Sequence, residues 1–325
     1  MKKRTLLAAA LAVAFGSLGA NAQAQDFPSR PITIVVGAAA GGPTDIIARV
    51  LAQDLTTSLG QPVIVSNKPG ANSLMATQEV ARANPDGYTL LLAYNAHVVN
   101  PLLMKSARYH ALNDFSPVSL AVSLPMAVIA PPNSPFATVQ DVVREGRAKP
   151  ETIAYGSSGN GSAPHLAGAL LQTQSHTKLT HVPFKGNAPA LAEVMAGRIH
   201  FMFYPMVGIN KFVADNRVKL IGVTTAQRHP DFPAVPTMAE TGFPGFEQTS
   251  PWIGMLAPSK TPPAVVARLD AAVKAALARA DTRERLVANG ALPAYRGSGD
   301  FQSFLRQDVD RWTKVIEAAG IQSND

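Results

Sequence analysis

Short β-branched runs alternate with helical stretches from residue 30 onward, and this alternation constrains the fold more than any other feature of the chain. Short apolar runs bounded by Gly, Pro or Asn read as strands, and longer stretches with a 3.6-residue apolar period read as helices. Strands are expected at 32–36, 62–65 and 88–93, with helices at 44–59 (closed by Gly60) and 72–83. The turn Asn84-Pro-Asp-Gly87 introduces the third strand. Such an order predicts a parallel, doubly wound sheet. Apolar stretches at 118–122 and 126–130, broken at Pro125, read as a crossing into a second lobe. A second αβ series follows, with helices at 139–148, 164–173 and 188–196 and strands at 152–155, 179–182, 200–204 and 219–224. Residues 232–246, rich in Pro and Gly, read as an ordered loop, and 252–257 as a strand returning to the first lobe. Amphipathic helices at 263–280 and 301–319 close the chain, with 282–289 between them. The expected architecture is α/β: two doubly wound αβ lobes joined by two crossing segments, residues 25–125 with 249–325 in one and 126–248 in the other.

Residues 1–24 read as a secretion signal. Lys2, Lys3 and Arg4 form a positive head, residues 5–20 an apolar stretch, and Ala20-Asn21-Ala22 or Ala22-Gln23-Ala24 a small-x-small cleavage site. The chain has no cysteine, which excludes disulfides, thiolate metal sites and a lipid-anchored cysteine. No later window has the roughly 18 uninterrupted apolar residues of a membrane helix. A soluble protein of the bacterial periplasm is expected. Of 29 basic residues three lie in the signal, leaving 26 against 22 acidic, a net +4. That mild bias suits an anionic ligand or simply a solubilising surface. With no basic run interleaved with aromatics, nucleic acid is not an expected partner.

Two loops carry the chemistry. In Thr33-Ile-Val-Val-Gly-Ala-Ala-Ala-Gly-Gly-Pro-Thr-Asp45 a strand runs through glycines into a helix that Pro43, Thr44 and Asp45 suit as a start. Free N–H groups at the positive end of a helix dipole make an anion site. The spacing is neither a Walker A loop nor a dinucleotide fingerprint. In Tyr155-Gly-Ser-Ser-Gly-Asn-Gly-Ser-Ala-Pro-His165 the same order recurs, with Ser157, Ser158 and Ser162 adding hydroxyls and Ser162 placed to cap the helix. A carboxylate held by several such donors needs no basic side chain. Each loop also admits the plainer reading of a tight turn without a ligand. Tyr94, Asn95 and His97 fall where a central strand meets the cleft, or are buried and satisfied by backbone. Asn187 is placed to cap the helix near 188, and Lys185 either faces the cleft or is solvated. Histidines at 97, 110, 165, 176, 181, 200 and 229 form no ligand spacing, so no metal or other cofactor is expected. An enzymatic alternative is a secreted serine hydrolase, with Ser157 or Ser158 as nucleophile and His165 as base. No Gly-x-Ser-x-Gly elbow supports it.

Taken together, Gly41-Gly-Pro-Thr-Asp45, Leu59-Gly-Gln-Pro-Val63, Asn67-Lys-Pro-Gly-Ala71, Pro85-Asp-Gly-Tyr-Thr-Leu-Leu91, Asp114-Phe-Ser-Pro-Val118, Ser157-Ser-Gly-Asn-Gly-Ser162 with His165-Leu, His181-Val-Pro-Phe-Lys-Gly186 and Pro236-Thr-Met-Ala-Glu-Thr-Gly-Phe-Pro-Gly-Phe246 resemble the substrate-binding proteins of tripartite tricarboxylate transporters, the Bug receptor family. The resemblance spans essentially the whole chain after the signal. It implies a type II periplasmic binding protein fold that closes like a Venus flytrap, a non-enzymatic role, a small carboxylate ligand, and a monomer that delivers it to membrane transporter subunits or serves as an orphan receptor or sensor. It implies that the loop of Ala39, Ala40, Gly41, Gly42 and Thr44 holds one carboxylate, and that the loop of Ser157, Ser158, Gly159, Asn160 and Ser162 contributes from the other lobe; Asp45, Tyr94, Asn95, His165 and Tyr204 are further candidate ligand contacts from their places beside these loops and at strand ends. The chain departs from the family pattern after Gly197-Arg198: His200, Tyr204 and Pro205 stand where relatives often carry Asp and Asp-Asn. A lost ammonium partner favours a ligand without an amine, such as an aromatic or unsubstituted dicarboxylate.

Overall fold

The computed structural model describes residues 27–206 and 208–321; the signal at 1–24 lies outside them. Strands β1 (Ile32–Val36), β2 (Val63–Asn67), β3 (Thr89–Tyr94), β4 (Phe115–Ser123), β10 (Trp252–Pro258) and β11 (Leu292–Arg296) form a six-stranded sheet in the order β11-β4-β10-β3-β1-β2. Strands β5 (Met126–Ala130), β6 (Ala154–Ser157), β7 (Thr180–Pro183), β8 (Phe201–Pro205) and β9 (Lys219–Val223) form a five-stranded sheet in the order β7-β6-β8-β5-β9. The sheets are mixed rather than parallel as expected. β1, β2 and β3 pair in parallel, as do β6, β7 and β8, but β10 runs antiparallel to β3 and β4, and β5 antiparallel to β8 and β9. The reason is the crossing. β4 and β9 leave their sheets at the end facing the other sheet, and β5 and β10 enter there, so each returning strand runs against its neighbours.

Each sheet is covered on both faces by helices that bury one apolar stripe. On one face of the larger sheet lie α1 (Pro43–Leu59), α8 (Pro263–Ala278) and α9 (Ala280–Ala288), closing a core that holds Ile32, Ile34, Leu51, Leu55, Leu269 and Val273. On the other lie α2 (Leu74–Ala81), α3 (Ala96–Leu103) and α10 (Ser298–Ala318), around Leu91, Val99, Phe301 and Trp312. The smaller sheet is sandwiched between α4 (Val139–Ala148) with α5 (Ala163–Ser175), and α6 (Asn187–Met195) with α7 (Ile209–Ala214). Among the described residues no helix is long and apolar enough to cross a membrane.

The crossings are tied to one another. Leu124 N–H donates to Pro251 O at 2.7 Å, Thr224 N–H donates to Met126 O at 2.8 Å, and Met126 N–H donates in return to the Thr224 hydroxyl at 3.0 Å, which also lies 3.3 Å from the Ser250 hydroxyl. The two sheets also share one apolar core on one side: Leu166 and Ala169 of α5 pack in the same cluster as Leu305, Trp312 and Ile316 of α10. There Trp252 Nε1 donates to the buried Asp308 at 2.9 Å, and Arg311 bridges Asp308 at 2.6 Å to Gln248 O at 2.9 Å. On the other side a groove of about 290 Å³ runs between the sheets, lined by Pro125, Met206, Lys211, Val287 and Leu292.

Three elements escape the sequence reading: α3, α7 and β11. α3 is hidden by Pro101 within it. Proline lacks the N–H that would bond His97 O one turn earlier, and the Tyr109 hydroxyl donates to that carbonyl instead at 2.8 Å. β11 contains Pro293 and pairs with β4 alone, an edge position where proline is tolerated.

Candidate functional site

The first loop leaves β1 at the end of the sheet that faces the other lobe. Gly37 is buried there, and a Cβ would lie 1.8 Å from Ser73 Oγ, so only glycine lets the turn before α2 pass this close. That turn runs left-handed through three non-glycine residues, Ala71, Asn72 and Ser73, with φ of 42°, 52° and 70°. Each costs about 1–2 kcal/mol. Hydrogen bonds offset part of it: Asn72 Nδ2 donates to Asn100 Oδ1, and Asn100 Nδ2 to Asn72 O. Ala39, Ala40 and Gly41 are exposed, Gly42 is the N-cap of α1, and Pro43 opens the helix.

Asp45, expected at the ligand, faces inward. Its carboxylate accepts Gly41 N–H at 2.8 Å, Asn67 Nδ2 at 2.9 Å and Arg49 Nε at 3.0 Å. Burial opposes its charge, but Arg49, the Gly41 amide and Asn67 outweigh burial and hold the carboxyl at about 2. Asp45 therefore ties the loop together, and the Gly41 amide is engaged by it. Asn67 and Arg49, neither of them a site residue in the sequence reading, complete this tie, with Asn67 Nδ2 also reaching Ala38 O. The hydroxyl of half-buried Thr44 has no hydrogen-bond partner among the described residues.

Beside this loop, β3 ends in Tyr94, whose hydroxyl burial pushes up to about 12 despite a hydrogen bond with Ser73. Asn95 follows, 6% exposed, with a buried Nδ2 that has no partner among the described residues. His97 takes the plainer of its two readings at Nε2 alone, since its Nδ1 is buried without a partner among the described residues. It is buried in the core, Nε2 lies 2.9 Å from Ala111 O, and its ring packs on Tyr109 and Phe115.

The second loop leaves β6 and enters α5 at residues 157–162. Ser157 is fully buried, and its Oγ lies 2.6 Å from His181 Nε2 and 3.1 Å from both the N and O of Gly159. Ser158 is half-buried, and its hydroxyl has no partner among the described residues. Gly159 is half-buried and Asn160 exposed. Gly161 lies against Val99 and Leu103 of α3, which places this loop beside the first lobe. Ser162 is the N-cap of α5, but its hydroxyl donates to Gly159 O at 2.7 Å rather than capping the helix. His165 Nδ1 accepts Gly161 N–H at 3.0 Å. The hydrolase reading paired serine with His165; the histidine on Ser157 is His181, which that reading missed because it lies in a different strand.

Around the second loop, Gly186 rather than Asn187 is the N-cap of α6, and Asn187 Oδ1 is buried without a partner among the described residues. Lys185 is exposed. Tyr204 is half-buried near the end of β8 that faces the first lobe. His200 precedes the opposite end of β8, where its Nδ1 accepts Ala154 N–H at 3.0 Å. Its identity therefore does not bear on an ammonium group in the cleft, which corrects half of the argument from the departed family pattern.

Residues 47–321 match the model of the tripartite tricarboxylate transporter family receptor. A protein of Pseudomonas sp. (strain P51) from the tcbD-tcbE intergenic region is 35% identical over 99% of this chain and 96% of its own length. The solved structure of the periplasmic binding protein BugD is 34% identical, covering 92% of this chain and all of the other, with a TM-score of 0.78. An R. palustris protein solved with adipate gives 32%, 92% and 100%, with a TM-score of 0.81. MatC from Rhodopseudomonas palustris with bound malate gives 33%, 89% and 100%, with a TM-score of 0.77. The fold is thus the two-lobe type II periplasmic binding protein fold, and the chain belongs to the tripartite tricarboxylate transporter receptor family, a family of solute-binding receptors rather than enzymes.

Proposed function

We propose that this chain is a periplasmic receptor that captures a small carboxylate between its lobes, residues 25–125 with 249–325 and residues 126–248, and delivers it to tripartite transporter subunits. The observation that supports it most is the pair of strand–loop–helix cradles, one on each sheet, that open on the ends joined by the crossings. Each presents a helix N-terminus equivalent to roughly half a positive charge. Each also presents one hydroxyl, Thr44 and Ser158, that makes no hydrogen bond within the described protein. Asn95 Nδ2 adds a buried donor lacking an acceptor, an arrangement that costs about 1–3 kcal/mol until a ligand supplies one. Ala39, Ala40, Gly42, Gly159 and Asn160 line the loops between these groups, while Asp45, Ser157, Ser162 and His165 hold the loops in shape. That the structures solved with adipate and malate resemble this chain over most of its length favours a dicarboxylate, and Tyr204 in place of an acidic residue favours one without an amine.

The test is a thermal-shift panel of dicarboxylates, citrate, aromatic acids, acidic amino acids and the matching amides, followed by calorimetry on each hit. A ligand at 100 times its Kd stabilises by about 2.7 kcal/mol. Thr44→Val and Ser158→Ala are each expected to weaken binding about three- to tenfold while leaving the ligand-free melting temperature unchanged. If no acid shifts the melting temperature, or if both variants bind as tightly as the parent, the reading fails. A preference for aspartate over succinate refutes the amine-free ligand.

A further inference from the structure

The second loop is held by two histidines that stack on each other. The rings of His165 and His181 lie 3.9 Å apart at 14°, and the ring of Tyr155 covers His181 from 5.0 Å. His165 comes from the first turn of α5 and His181 from β7, so the stack joins helix to edge strand across the loop between them. Each ring bonds a different point of the loop: His181 Nε2 meets Ser157 Oγ at its start, and His165 Nδ1 accepts Gly161 N–H near its end. Ser157 Oγ passes the constraint on, since it also bonds both backbone atoms of Gly159. Ser158, with its unbonded hydroxyl, lies between these fixed points.

We propose that His181, stacked on His165, is a positioning residue for ligand recognition: the pair sets the backbone of residues 157–161 and so aims the Ser158 hydroxyl and the neighbouring amides at the ligand. This rests on the loop being the ligand loop of the second lobe. The geometry demands neutral rings. Gly161 N–H occupies the His165 Nδ1 lone pair, so the proton of that ring sits on Nε2, and a second proton would displace the loop. Two imidazolium ions at stacking distance repel. Burial pushes His165 down to about 4, and burial together with His165 pushes His181 down to about 3, so both are uncharged at neutral pH. Tyr155, whose hydroxyl burial pushes up, is uncharged as well. Among the described residues no acidic or basic side chain hydrogen-bonds or ion-pairs with either ring.

Substitution separates stacking from hydrogen bonding. His181→Phe and His165→Phe keep a ring in the stack and remove the nitrogens. His181→Gln restores a donor at the Nε2 position, and His165→Asn an acceptor at the Nδ1 position. Two readouts are taken on the full mature protein: affinity for malate or adipate, whichever the parent binds, and hydrogen exchange of the Gly159 and Gly161 amides without ligand. The Phe variants are expected to weaken binding about three- to tenfold and to speed exchange at both glycines, and Gln and Asn to recover most of each loss. Equal behaviour of Phe and Gln at 181, or of Phe and Asn at 165, overturns the proposal. Should the Phe variants fail to fold, nitrogen NMR of the parent decides: His165 is expected as the neutral Nε2–H form, and finding the Nδ1–H form refutes the assignment. If the parent binds neither acid, the tightest-binding acid of the panel takes their place; if it binds none of the panel, the carboxylate reading falls, while the exchange measurement still tests whether the histidines set the loop.

Discussion

Replacing Asp45 by Asn removes a charge from the root of the first loop and keeps its shape. In the folded protein the carboxyl sits at about 2 against an ordinary 3.8; its own side chain is 2% exposed but that of its partner Arg49 is 55% exposed, so solvent screening trims the full shift. Because the folded value is the lower one, ionised Asp45 stabilises the fold. That contribution is complete well above pH 3.8, shrinks as the pH falls through 3.8, and is gone below about 2. Each pKa unit is worth 1.36 kcal/mol, so Asp45→Asn is expected to cost about 2 kcal/mol at pH 7 and about 1 kcal/mol at pH 3. Urea unfolding of parent and variant, followed by tryptophan fluorescence at both pH values, measures the two differences directly. A loss below about 0.5 kcal/mol at pH 7, or the same loss at both pH values, refutes the view that Asp45 is a charged internal tie. Ligand affinity should fall in step, because Asn keeps one acceptor oxygen where Asp45 uses two, one for the Gly41 amide with Arg49 and one for Asn67.

Asp308 should show the opposite slope in a higher window. Burial, opposed by Arg311 and Trp252, lifts it to about 6, so stability of the parent should fall as pH rises from about 4 to 6, and urea midpoints of Asp308→Asn should lack that slope. Gly37→Ala drives a Cβ into Ser73 and should cost about 1–3 kcal/mol. Ser73→Gly should return part of this by removing the hydroxymethyl and relieving φ 70°, a coupling that a double-mutant cycle measures. In the strand order, β11 lies on the far side of β4 and β10 from β1, so the groove at Pro125 sits behind the crossings and should narrow when the cleft opens. Val287→Trp, at a side chain 53% exposed, should wedge it, tighten ligand binding and compact the ligand-free protein in solution scattering; unchanged affinity and radius refute that hinge geometry.

Legibility followed the range of the interactions involved. Helix α4 has the bounds expected of it, and its start is fixed locally, by a capping box of Thr138 and Asp141 within one turn; Gly60 closes α1 as expected, in the left-handed conformation. Both loops were legible from glycine, proline and serine order. The partners of those loops were not: Asn67 lies 22 residues from Asp45, and His181 lies 24 from Ser157. Nothing local marks which of seven histidines a folded sheet will bring to a given serine. α3 was hidden because the rescue of its interrupted hydrogen bond comes from Tyr109, a residue outside the helix.

The sequence by itself determined two αβ series, the crossings near Pro125 and before Trp252, and two small-residue loops at strand–helix junctions. These depend on periodicity, turn chemistry and backbone freedom, which are properties of neighbouring residues. Tertiary structure alone decided the mixed strand directions, the inward turn of Asp45, the passage of Ser73 over Gly37 and the stacking of His165 on His181. Each of these depends on which distant residue closes a hydrogen bond or fills a space, and only the packed lobes bring those residues together.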